Sequence, residues 1–267
     1  MKSATLIVGC ILFLFILSVS AGTYVDTFDD RKLMNWKEVN VKDSRPGKWR
    51  VFNGEIRAES QDDNIRLLVL KDVEWINYEV ELDVMPLKRH GKGHIVLAVR
   101  VTQTRAIVFT IGDIFWDAPL PIVTGTILSL ETGNLDGLPL WFRLRGGQKN
   151  IENVLRDGVN LPCKAVYAHP FLKTNEWSHL KLKVSGDLLI LWVNEKLVLN
   201  LICRLDNFVF LKGDLAIGSV GFGIAGYTAL FDNFVVTGEG IPNRGSLSVQ
   251  LQDKLGTTWG RLKHGLH

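Results

Sequence analysis

The chain has 267 residues, with 31 Lys and Arg against 28 Asp and Glu, a formal charge of +3. That balance excludes a partner chosen by bulk charge, such as nucleic acid or an anionic membrane surface. Of its three cysteines, one lies in the apolar leader, so too few thiolates remain for a four-ligand zinc site.

The chain opens with Lys2, then an apolar run from Leu6 to Leu17 and the small residues Val19-Ser20-Ala21. This is the layout of a secretory signal peptide, expected over residues 1–22 with cleavage at or near Ala21. The run is shorter than the roughly 20 residues that cross a bilayer, so no membrane span is expected after cleavage. The expected destination is extracellular or periplasmic. In an oxidising compartment Cys163 and Cys203 are a candidate disulfide pair, with two free thiols as the alternative.

Downstream, apolar residues recur with period two, and no amphipathic helix of three turns occurs. Asn53-Gly54 predicts a hairpin turn, because both residues tolerate positive φ. Ile76, Tyr78, Val80, Leu82 and Val84 alternate with Asn77, Glu79, Glu81 and Asp83, which predicts a strand with one buried and one polar face. Further strands are expected over residues 93–101, 105–111, 177–184, 188–193 and 196–202. Residues 215–224 and 227–236 read as a closing hairpin about Ala225-Gly226. Such a series of short strands with Gly, Asp and Asn turns predicts an all-β, two-sheet antiparallel sandwich. One domain is expected over residues 23–238, then a linker and flexible tail over 239–267, where Gly238 to Gly245 is dense in breakers.

Five segments carry a family resemblance: Asp26-Thr27-Phe28-Asp29-Asp30 with Trp36, Gly47 to Ile56, Asn77 to Val84, Gly93 to Arg100, and Leu230 to Val236. In order and spacing they resemble the concanavalin A-like, laminin-G-like jelly-roll superfamily. Phe28, Trp36, Trp49 to Gly54 and the strand at Tyr78 also resemble the 3-keto-disaccharide hydrolase family. That family's Asn-Ser-Gly segment has no counterpart around Gly93-His94-Ile95. The resemblance implies a jelly roll, a fold that hosts lectins, carbohydrate-binding modules, glycosidases and adhesion modules, so fold alone does not settle function.

Laminarinase-like glycosidases of the superfamily carry Glu-x-Asp-x-x-Glu on one strand. Glu81 and Asp83 align with its first two acids, and Pro86 stands where the last acid belongs. Retaining hydrolysis needs two carboxylates about 5 Å apart, so Glu81 and Asp83 are the catalytic candidates only if the protein is an enzyme. The superfamily also implies a structural calcium at the chain ends, for which Asp29, Asp30 and Asp232 are the chosen ligands and Asp26 the reserve. No other cofactor is required. Trp116, Trp141, Arg143 and Arg145 fall in long connections and are the ligand-binding candidates, since sugar rings stack on tryptophan and arginine bonds their hydroxyls. His94 is expected as a surface histidine with its bonds satisfied. The leading expectation is a non-catalytic secreted module that binds carbohydrate or a cell-surface partner. A glycoside hydrolase of the same fold and a structural or adhesion protein are the alternatives.

Overall fold

The computed structural model describes residues 21–30, 32–41, 45–112, 122–132, 163–165, 172–202 and 215–245. In chain order its strands are β1 (Ala21–Asp26), β2 (Trp36–Asn40), β3 (Lys48–Phe52), β4 (Glu55–Glu59), β5 (Arg66–Leu70), β6 (Tyr78–Val101) and β7 (Arg105–Gly112). There follow β8 (Ile122–Ser129), β9 (Cys163–Ala165), β10 (Ser178–Ser185), β11 (Leu188–Val193), β12 (Lys196–Ile202), β13 (Ser219–Glu239) and β14 (Arg244–Gly245). The expected all-β jelly roll is the observed fold, and the described residues contain no helix.

Two long strands hold it together. The first half of β6 pairs with β10 and with the second half of β13, while its second half pairs with β7 and the first half of β13. Both strands therefore pass from one sheet into the other, and the two sheets form one curled hydrogen-bonded surface. Alternation turns Tyr78, Val80, Leu82 and Val84 of the first half of β6, Ile95 and Leu97 of its second half, and Phe109 of β7 into one shared core. Phe222 lies at its centre, with ring contacts to Trp36 at 5.2 Å and to Phe231 at 4.7 Å. A second buried cluster, including Val69, Val96, Ala98 and Val108, lies on the opposite face of the second sheet.

Three details depart from the sequence reading. Residues 215–236 are not a hairpin. Gly226 has φ +57°, but the chain bends there instead of reversing, and β13 continues through a register shift between Ala225 and Tyr227. Gly93, expected to open a separate strand over 93–101, lies inside the longer β6 at that bend, where a Cβ would stand 2.3 Å from the Tyr227 ring. Finally, residues 239–245 pack on the domain. Gly240 turns the chain at φ +73°, Ile241 enters the core, and β14 pairs parallel with β1. The Asn53-Gly54 turn matches expectation, with φ of 54° and 77°. Residues 1–20 of the expected 1–22 leader and residues 246–267 of the expected tail lie outside the described residues. Among these, no helix is long and apolar enough to cross a membrane.

Candidate functional site

The outer face of the first sheet is an acid–base ladder. Because the even-numbered residues of β6 point inward, Glu79, Glu81 and Asp83 point out, and the register sets them opposite Lys183, Lys181 and His179 of β10. Lys181 Nζ stands 2.8 Å from Glu79 and 3.0 Å from Glu81, and Lys183 Nζ stands 3.2 Å from Glu79. The Lys181 ammonium holds the Glu79 carboxyl below its usual range, and Glu79 raises Lys181 in return. His179 Nδ1 lies 2.8 Å from Asp83 Oδ1, a bond that raises the imidazole above its ordinary value. Asn233 Nδ2 donates to the other Asp83 oxygen at 2.8 Å. Glu81 and Asp83 thus share one face as expected, but their oxygens are engaged by the neighbouring strands. This is a half-buried structural zipper in which each charge has a partner.

A cleft of about 480 Å³ opens at the rim of the sandwich. Its floor is built from the buried residues Tyr24, Asp26, Leu70 and Trp75, and its mouth carries the exposed residues Asp30, Asn35, Asp72 and Arg244. The floor is fixed by Asp26, whose carboxylate accepts the Phe28 N–H at 2.9 Å and the Trp36 indole N–H at 2.8 Å. Burial, reinforced by Asp26, pushes the Tyr24 phenol up, so it stays a neutral donor. The Tyr24 and Trp75 rings meet at 6.3 Å and 53°. Aromatic walls beneath two carboxylates, an amide and a guanidinium match the general make-up of a small-ligand site, in both size and chemistry. Carboxylates and the amide accept from hydroxyls, Arg244 donates, and the rings offer apolar surface.

Of the candidate calcium ligands, Asp30 lies at the cleft mouth, where it also accepts the Lys32 N–H at 3.0 Å. Asp29 accepts the Thr27 hydroxyl at 2.8 Å, and Asp232 accepts the Asn233 N–H at 2.7 Å. The reserve ligand, Asp26, serves the floor. Among the described residues, no three His, Cys, Asp or Glu side chains are gathered to hold a metal. Trp116, Trp141, Arg143 and Arg145 lie outside the described residues. So does Cys203, whereas Cys163 begins β9.

His94 departs from expectation. Both of its ring nitrogens are buried without a hydrogen-bond partner, and burial lowers its pKa to about 4. Sequence reasoning also missed Tyr24, Asn35, Asp72, Trp75 and Arg244 as one cleft. They come from β1, the approaches to β2 and β6, and β14, and no local spacing links them.

None of the curated proteins matches the chain. Among solved structures it is similar to a Bacillus subtilis protein with a galectin-like fold, at TM-score 0.51 and 11% identity over 80% of this chain and 94% of the other. It is also similar to the CBM2 module of the evolved Dit protein of Lactobacillus casei BL23 phage J-1, at TM-score 0.50 and 10% identity over 83% and 97%. These likenesses show the fold. The family is shown by the sequence itself, because the model of the 3-keto-alpha-glucoside-1,2-lyase-like domain matches residues 23–237. That span covers every strand from β2 to β12, four of the six residues of β1 and nearly all of β13, and the chain belongs to that family.

Proposed function

We propose that this domain is an exported saccharide-binding module and that the rim cleft seats the sugar. The observation that carries the reading is the convergence of Tyr24 and Trp75 with Asp30, Asn35, Asp72 and Arg244 in one cleft. Saccharides present hydroxyls that bridge carboxylate and guanidinium, and C–H faces that pack on aromatic rings. The CBM2 likeness and the glycoside-related family support a sugar as the ligand. Binding without cleavage fits the ladder, in which Asp83 is held from both sides by His179 and Asn233.

The second reading, glycoside cleavage, rests on the family match. One experiment separates the two. The purified protein is applied to a polysaccharide panel, and retention and released reducing sugar are scored together. Retention without release is expected. Release would replace binding with catalysis, and an absence of both signals would overturn the saccharide reading. Export is checked by fractionating cells and sequencing the mature N-terminus, with cleavage expected near Ala21.

A further inference from the structure

The β3–β4 hairpin carries two like charges side by side on its solvent face. Its register sets Lys48 opposite Glu59, Arg50 opposite Arg57 and Phe52 opposite Glu55. Residues directly opposite in an antiparallel pair point to the same side, with Cβ atoms about 5 Å apart. The first pair is matched, with Lys48 Nζ 3.2 Å from Glu59. The central pair is not. Arg50 and Arg57 are both exposed, and neither guanidinium has an ion pair or hydrogen bond among the described residues. Like charges directly opposite one another destabilise a hairpin. The pair is nevertheless held on a fixed element, because Ile56 and Ala58 lie in the core and Trp49 and Val51 pack against it. Beside the arginines, Phe52 is 69% exposed.

We propose that Arg50 and Arg57 form a clamp for the anionic group of an acidic saccharide, a carboxylate or a sulfate, with the Phe52 ring covering the sugar's apolar face. This rests on the saccharide reading, names the class of sugar, and adds a contact on the hairpin, whose residues do not line the rim cleft. Guanidinium forks on two directly opposed residues can both donate to one oxyanion. Glu55 and Glu59 flank the pair on the same face. They disfavour a densely charged polyanion and leave room for one charge per sugar ring. A neutral sugar gives the two arginines nothing to neutralise.

The test is affinity electrophoresis of the whole protein through polygalacturonate, a sulfated galactan and a neutral galactan, at low and high salt. Wild type and the double variant Arg50→Gln with Arg57→Gln are compared, with Lys173→Gln as the control outside the hairpin. The wild type should be retarded by an acidic polymer, and which one it is identifies the anion. Retardation should weaken with salt. The double variant should bind about tenfold more weakly, while its melting temperature holds or rises because the repulsion is gone. Lys173→Gln should bind as wild type does. Unchanged binding by the double variant would overturn the clamp, as would equal retardation by neutral and acidic polymers. In those cases the saccharide reading survives. No retardation by any polymer would sink both.

Discussion

On the first sheet His179 has Asp83 at 2.8 Å and Glu81 at 3.7 Å. On the second, His94 sits in β6 between Ala225 and Gly112 with both ring nitrogens buried and unmatched. The same side chain is a fixed member of a charged zipper in one half and a neutral, unsatisfied group in the other. The first sheet spends its polar atoms on its own strands, as a structural face does. The second keeps a buried donor and acceptor unspent, and an unmet buried polar group needs a reason beyond stability.

The largest effect should come from removing what the halves share. Phe222 is fully buried and packs on Phe28, Trp36, Phe231 and Phe234. Phe222→Ala should cost about 3–5 kcal/mol by denaturant unfolding, in a single transition. Two separate transitions would show halves that fold independently.

Next in size is the response of His94 to acid. Its folded-state pKa of about 4 lies below its ordinary value of 6.5. As pH falls, the unfolded chain therefore takes up the proton first. The stability contribution is complete above pH 6.5 and is lost between 6.5 and 4, by on the order of 3 kcal/mol. His94→Leu should flatten that part of the stability profile without loss of stability at neutral pH, since it removes two unmet polar atoms. A profile unchanged by the substitution would show that His94 is not the group responsible.

The smallest effect has the opposite sign. His179 is raised by Asp83, so its contribution is complete below the unfolded value and is lost as pH rises through the folded one. Asp83→Asn should reduce this alkaline loss, leaving the smaller part due to Glu81 and Glu195. Because the pair is a quarter to a third exposed, the change is a fraction of what His94 produces. An alkaline slope that survived the substitution would assign it to another group.

Much of the fold was legible because alternation is local. Tyr78 to Val84 announces its buried and polar faces residue by residue, and Asn53-Gly54 announces its turn. What escaped was continuity. Ala225-Gly226 carries turn chemistry, and only the pairing partners on β6 reveal that β13 bends through it. The ladder was half legible: Glu81 and Asp83 could be placed on one face, but their engagement by His179, Lys181 and Asn233 depends on register with strands about a hundred residues or more away. The cleft was not legible, since Arg244 stands in a segment that reads as a linker and Asp72 in an ordinary turn.

Titration calorimetry with the retained polysaccharide decides whether the rim cleft seats a saccharide. Asp72→Ala and Arg244→Ala remove exposed side chains at the cleft mouth and should leave the melting temperature within a few degrees of wild type. Each should weaken binding about tenfold or more. Binding that stays at the wild-type level in both variants would contradict that seat and move the sugar to another face of the sandwich.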